Sequence, residues 1–289
     1  MRISLGLERE VVFAVARLFT SFEDSNFNIR KGSGTGFWVS VDDMPDSLSF
    51  VTNRHNLDPE MLWPAAGWRL VESSIEVRRF TEHANNWQVI AHPETSMLNV
   101  DPNVWKLHDG ADCAVAVTLD FAQVSSEFTP AHYLTPGDIA TESWVARHTG
   151  LTQACSFVGF PGSDGKPWFD EHWKLPIART ATLASNPSIQ FTNRQIQTKN
   201  VALVSGLSFS GSSGSPLIVH EVGDLIGALE YPQSTKYQPA KLIGIMSGHF
   251  WEPADEPPMF RRHSGLSYYT RASALCELVG LDPIGADDD

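Results

Sequence analysis

The stretch Ser210-Gly211-Ser212-Ser213-Gly214-Ser215-Pro216, running straight into Leu217-Ile218-Val219, decides how the rest of the chain is read. Small residues ahead of a short apolar run suit a tight turn that presents a hydroxyl, with backbone N–H groups beside it. A nucleophilic serine and its oxyanion hole are built in that way. Gly/Ser-rich stretches are also ordinary turns. The stretch therefore gains meaning only if a base, and an acid that orients the base, occur elsewhere.

With 289 residues, 42% hydrophobic and 19% charged, the chain can fold as one large domain or as two compact lobes. The formal net charge is −13, and Arg78-Arg79 and Arg261-Arg262 are isolated pairs, so no nucleic-acid partner is expected. Cys113, Cys155 and Cys276 lie far apart, with no metal-ligand spacing and no disulfide framework. They read as free thiols, which favours a reducing compartment. Glu8, Arg9 and Glu10 precede the apolar part of the N-terminus, so it does not read as a signal peptide. No apolar run approaches the ~18 residues of a membrane span. The expectation is a cytoplasmic protein with no membrane contact, no metal and no cofactor.

Val12, Val15, Ala16 and Phe19 recur at helical spacing, so Leu7 to Ser21 is expected as an amphipathic helix, with a polar connector to Lys31. From Gly32 the pattern turns to short strands. These are Gly36–Val41, Leu48–Thr52, Ile75–Phe80, Trp87–His92 and Cys113–Leu119, with a turn at Asp42 to Asp46. Ala122 to Thr141 reads as a linker. A second series follows at Trp144–Arg147, Cys155–Phe160, Ala178–Leu183, Ser188–Thr192, Leu217–Val219 and Leu242–Met246. Gly162 to Pro176 and Glu230 to Ala240 read as surface loops. Tyr269 to Val279 reads as a closing helix stopped by Gly280 and Pro283, ahead of an acidic end. The fold class is all-β with terminal helices: two antiparallel β-barrels with a cleft between them. The expected units are residues 1–31, 32–121 (first barrel), 122–141 (linker), 142–268 (second barrel) and 269–289.

His55 follows an apolar strand and begins a turn, where a side chain can face a cleft. Asp112 stands directly before Cys113-Ala114-Val115-Ala116-Val117 and enters a buried strand, which is costly for a carboxylate without a partner. A histidine N–H is a natural partner. Each also has an ordinary reading, as a surface histidine and as an aspartate closing a turn after Asp109-Gly110. The order His55, Asp112, Ser213 is one of the known orders of a Ser-His-Asp triad.

Gly34-Thr35-Gly36-Phe37-Trp38-Val39, Phe50-Val51-Thr52-Asn53-Arg54-His55, Asp112-Cys113-Ala114-Val115 and Gly211-Ser212-Ser213-Gly214-Ser215-Pro216 resemble four motifs of the trypsin-like (chymotrypsin-fold) serine peptidases. They correspond to the first-strand, histidine, aspartate and nucleophile motifs. Gly244-Ile245-Met246-Ser247-Gly248 resembles the strand that lines the substrate cleft, and Tyr269-Thr270-Arg271 the strand end before the last helix. The resemblance spans Gly32 to Leu278 and is closest to bacterial, intracellular members.

It implies a serine endopeptidase. Ser213 is the nucleophile, His55 the general base and Asp112 its orienting acid, with the N–H groups of Gly211 and Ser213 as the oxyanion hole. Ser212 stands where the digestive enzymes carry an aspartate, so activation by a newly freed N-terminus is not expected. Control by loop ordering or by an activating protein partner is expected instead, with an effector role in a bacterial defence system by analogy of fold. Leu207, six residues before Ser213, would sit at the base of the primary pocket, with Ser208, Ser247, Gly248, His249 and Ser267 around it. Two specificities remain open. One is an apolar or small residue before the scissile bond, which is favoured; the other is Glu or Gln held by His249 and serine hydroxyls. A protein or peptide substrate is implied in either case. The alternative function is a catalytically silent fold used as a protein-binding module, which the intact triad disfavours.

Overall fold

The computed structural model describes residues 6–41, 48–82, 89–128, 130, 132–163, 166–196, 198–223, 237–252 and 262–285. The first half begins with helix α1 (Leu7–Ala14), which runs directly into β1 (Val15–Glu23). A tight turn follows, in which the Asp24 carboxylate accepts the N–H groups of Asn26 and Asn28 at 2.8 and 2.9 Å. β2 (Ile29–Ser40) returns antiparallel to β1, with Val15 opposite Phe37 and Glu23 opposite Ile29. Next come β3 (Leu48–Thr52), a short α2 (Pro59–Leu62), β4 (Arg69–Glu82), β5 (Val89–Val100), β6 (Trp105–Leu107) and β7 (Ala114–Ala116). They form one antiparallel sheet in the order β5-β4-β1-β2-β3-β7-β6.

The sheet rolls up because its apolar face is too wide to stay flat. Leu18, Trp38, Phe50, Ile75, Leu98 and Trp105 gather from six different strands into one buried cluster. The ends of the sheet meet through side chains: Trp105 Nε1 donates to Ser73 Oγ at 3.0 Å, and Ser73 Oγ donates to the Val100 carbonyl at 2.7 Å.

The second half opens with α3 (Glu142–His148) and β8 (Ala154–Gly159). A two-residue hairpin follows, β9 (Gly162–Ser163) with β10 (Lys166–Pro167), then β11 (Ile177–Leu183), β12 (Val201–Ser205), β13 (Pro216–Val219), β14 (Lys241–Glu252) and β15 (Arg262–Arg271). Six of these strands close a barrel in the order β11-β12-β15-β14-β13-β8 around Phe157, Leu183, Val204, Leu217, Ile243 and Tyr269. α4 (Ala272–Val279) ends at Gly280, whose φ of 78° is the left-handed C-cap expected there. A third apolar cluster joins the halves, with Phe37, Val51 and Cys113 of the first packed against Val158, Ile218, Ile245 and Leu275 of the second. The result is the all-β, two-lobed arrangement expected from the sequence.

Several local expectations are corrected. Helix α1 stops at Ala14, and Val15–Glu23 is a strand, because its aromatic and β-branched residues pair with both β2 and β4. The first lobe therefore begins at Val15, ahead of residue 32. Residues 144–147 are helical, since Thr141 Oγ1 caps the turn by accepting the Trp144 N–H at 3.2 Å. Ser188–Thr192 forms no strand, and Val201–Ser205 does. The closing helix starts at Ala272, because Tyr269–Arg271 continue β15. The linker is tied to both lobes, through Leu134 beside Val39 and Ile139 beside Leu242. The turn at Asp42–Asp46 lies outside the described residues, as does most of the Glu230–Ala240 loop.

Candidate active site

His55 sits on a single 3-10 turn (Arg54–Asn56) directly after β3, and Asp112 stands two residues ahead of β7, the neighbour of β3. The pairing of these two strands brings the residues together. Asp112 Oδ1 accepts the His55 backbone N–H at 2.9 Å, and Oδ2 meets Nδ1 at 2.7 Å. The carboxylate is nearly enclosed, with 4% of its side chain exposed against 16% for His55. Burial works to lower the imidazole's pKa, but the charge of Asp112 and its hydrogen bond outweigh this and raise it overall.

Behind the pair, Asn53 Nδ2 donates to the Asp112 carbonyl at 2.8 Å and to Ser247 Oγ at 3.0 Å. Ser247 Oγ in turn lies 2.9 Å from Thr270 Oγ1. This network reaches from β3 to β14 and β15, so strands of the second lobe help to place the aspartate of the first. Asn53 is completely buried, and its motif position gave no hint of that role.

The nucleophile turn is shaped by two glycines that no other residue could replace. Gly211 has φ 84°, and a Cβ there would lie 2.4 Å from the Phe160 carbonyl oxygen. Gly214 has φ 92°, and a Cβ there would fall 1.8 Å from the Thr35 carbonyl oxygen. The close approach exists because β2 grips the turn. Thr35 N–H donates to the Ser213 carbonyl at 2.9 Å, and Thr35 Oγ1 donates to the Gly211 carbonyl at 2.7 Å. Asn56 Nδ2, beside His55, adds a 3.3 Å bond to the same Ser213 carbonyl. The peptides on either side of the Gly211 and Ser213 N–H groups are thus fixed. Neither N–H has a hydrogen-bond acceptor among the described residues. Ser212 is buried, and its Oγ accepts the Phe209 N–H at 3.3 Å within the turn.

Ser213 Oγ lies 3.5 Å from the Ser247 carbonyl, and no hydrogen bond joins it to His55 among the described residues. Beside Ser213 is a cavity of about 200 Å³ lined by Ser208, Phe209, Ser210, Ser212, Met246, Gly248, His249, Trp251 and Tyr268. Of the residues expected around the primary pocket, Ser208, Gly248 and His249 line this cavity. Ser267 is fully buried behind Ser208, and Ser247 belongs to the network behind Asp112. Leu207 is 47% exposed and does not line the cavity. His263 was not singled out in the sequence, yet its ring stacks on that of His249 with centroids 4.4 Å apart. All three cysteines are free and buried. Among the described residues no group of three or more His, Cys, Asp or Glu is placed to hold a metal ion, and no helix is long and apolar enough to cross a membrane.

No protein-family model matches the chain, and no curated protein matches it. Among solved structures it is similar to an HtrA-type protease, AlgW with a tripeptide, at 13% identity and a TM-score of 0.49, covering 94% of this chain and 60% of that one. A variant of AlgW with a decapeptide gives 13% identity, a TM-score of 0.49 and coverage of 92% and 63%. Deg5 gives 12%, 0.45, 94% and 89%. The chain thus spans less than two thirds of the length of the AlgW chains.

Proposed function

We propose that the chain is a serine endopeptidase that cleaves peptide bonds through an acyl-enzyme on Ser213. The observation that carries this reading is His55 held at two points by one buried carboxylate, across from a turn that offers two N–H groups without acceptors. Ser213 Oγ attacks the scissile carbonyl while His55 Nε2 takes its proton. The N–H groups of Gly211 and Ser213 receive the developing oxyanion. His55 then protonates the leaving amine and afterwards draws a proton from the water that frees the acyl group. Asp112 holds Nδ1 protonated throughout and stabilises the imidazolium.

The reading includes control by a partner or by loop ordering. Its support is the direction of Ser213 Oγ, bonded to the Ser247 carbonyl instead of to His55. A rotation of that side chain is what binding would supply. The same observation is the one that favours the second reading, a silent fold used as a binding module.

Fluorophosphonate labelling separates the two. The wild type is expected to be modified at Ser213, with His55→Ala slower by at least 100-fold and Ser213→Ala unlabelled. Labelling of Ser213→Ala as fast as wild type would falsify the nucleophile assignment, and an inert wild type would leave the binding module. A labelling rate already maximal for the isolated protein, with no gain on adding peptides, would remove the control element alone.

A further inference from the structure

We infer that the pocket beside Ser213 takes an acidic side chain, a glutamate or aspartate ahead of the scissile bond, recognised by Ser208 and His249 and supported by Ser267, His263 and Arg179. The inference rests on the peptidase reading, since it concerns the pocket of the same site. It reverses the apolar preference read from Leu207, which lies outside the cavity.

One wall of the cavity carries donors that are left without a good acceptor among the described residues. Ser208 Oγ lies 3.2 Å from His249 Nδ1 and 3.0 Å from Ser267 Oγ, whose one proton goes to the Gly206 carbonyl. When Ser208 donates onward to Nδ1, the proton of neutral His249 resides on Nε2. That nitrogen is enclosed and has no hydrogen-bond partner among the described residues. Burial and the neighbouring His263 push the pKa of His249 down to about 4, so the ring is neutral and its Nε2 lacks an acceptor among the described residues.

His263 extends the pattern. Its Nδ1 accepts the Gly265 N–H at 2.8 Å, which assigns the ring proton to Nε2, 3.5 Å from Ser267 Oγ. The Ser208 N–H faces that same Nε2 at 3.2 Å, so two backbone donors converge on a ring that can accept from only one. Two carbonyls also stand in the group. The Gly206 carbonyl is engaged by Ser267 Oγ at 2.8 Å, and the Gly248 carbonyl lies 3.5 Å from Ser208 Oγ. A ligand that brings acceptors fits these unpaired donors.

Charge decides between a carboxylate and a carboxamide. The Arg179 guanidinium lies 4.4 Å over the ring of Phe209, a residue of the cavity wall, and the Phe209 ring is 6.4 Å from that of His263. Burial, then the charge of Arg179, lowers the pKa of His263. Among the described residues no acidic group acts on His249 or His263. Asp112 reaches the cavity wall electrostatically at Tyr268, and its carboxylate is turned to His55, whose backbone N–H and Nδ1 it binds. A carboxylate entering beside Phe209 gains the attraction of the Arg179 charge, whereas a carboxamide gains hydrogen bonds alone.

The test uses peptidyl diphenyl phosphonates on one scaffold, with Glu, Asp, Gln, Leu or Lys side chains at the position before the reactive phosphorus. Modification of Ser213 is followed by mass spectrometry beside a fluorophosphonate control. The faster of the Glu and Asp probes is expected to exceed Gln at least tenfold and Leu at least 30-fold. Arg179→Gln should lower the acid-to-Gln ratio about tenfold. His263→Phe, which keeps a ring against His249, should lower the acid-to-Leu ratio about tenfold. If the fluorophosphonate labels Ser213 while Gln, Leu or Lys matches the acids, the pocket inference fails and the peptidase reading stands. If no probe labels Ser213, both fall together.

Discussion

At His55 two effects oppose each other. Burial alone would lower the imidazole's pKa below its ordinary 6.5, while the Asp112 carboxylate, 2.7 Å away, raises it above that value. The ring must be neutral to take the Ser213 proton, so labelling and kcat/KM rise with pH, reaching half their plateau above 6.5. In Asp112→Asn the opposing charge is gone and burial remains, so the midpoint moves to lower pH. The same change removes the partner that fixes the tautomer, and the plateau rate should fall on the order of 10⁴-fold, as it does in the well-studied triads. Profiles of labelling rate against pH for both proteins check the two effects. An unshifted midpoint would show that Asp112 does not set the charge of His55.

Among the elements, β2 has a role beyond its place in the first sheet. Thr35 is fully buried, and its hydroxyl both donates to the Gly211 carbonyl and accepts the Phe160 N–H at 3.0 Å. Thr35→Val keeps the shape and the strand preference but leaves those two groups of the second lobe without partners. Each orphaned group costs about 1–3 kcal/mol, so thermal unfolding should shift to clearly lower temperature. Labelling of the still-folded protein should slow at least tenfold as the oxyanion turn loosens; an unchanged rate would mean that the backbone bond of Thr35 alone positions the turn. This grip was half visible in the sequence. Gly34-Thr35-Gly36 and Gly211 to Gly214 announced themselves as motifs, because close backbone approach demands small residues, and residue types survive in the sequence when distances do not. The pocket was legible only in part. His249 sits on the recognised β14, but β15 mixes polar and apolar residues at both faces and was not read as a strand beyond its end. His263 therefore carried no signal; it meets His249 only because Trp251 pairs with His263 across an irregular β14–β15 ladder. Trp144-Val145-Ala146 is β-like in composition, which points to a strand, yet Thr141 supplies the cap that makes the segment helical.

Across the whole molecule, the lobes are joined by more than their shared apolar cluster. Arg17 on β1 makes a two-pronged pair with Glu76 on β4, at 2.8 and 2.6 Å, and its guanidinium lies 4.6 Å over Phe169 and 5.7 Å over Phe160 of the second lobe. Next to it Arg78, 3% exposed, donates to the carbonyls of Val12 in α1, of Val15 in the first lobe and of Lys174 in the second. Burial pushes its pKa down to about 10; Glu76 opposes that shift, and Arg17 adds to it. Two cations thus depend on one carboxylate at the seam. Of the two, Arg17 is the one bonded to that carboxylate directly, so loss of the carboxylate leaves Arg17 unpaired and removes the attraction that helps to keep Arg78 charged. Breaking a nearly buried pair from one side costs about 3–5 kcal/mol, and Glu76→Gln should lower the denaturation midpoint accordingly. Because Glu76 touches none of the reacting groups, the pH midpoint of Ser213 labelling should stay where it is in the folded variant. Replacing both partners, as Arg17→Met with Glu76→Gln, removes the orphaned charge and should restore part of the lost stability. A loss below about 1 kcal/mol in the single variant, the size of an exposed surface pair, would mean that the apolar cluster alone holds the lobes and that the seam cations are solvated.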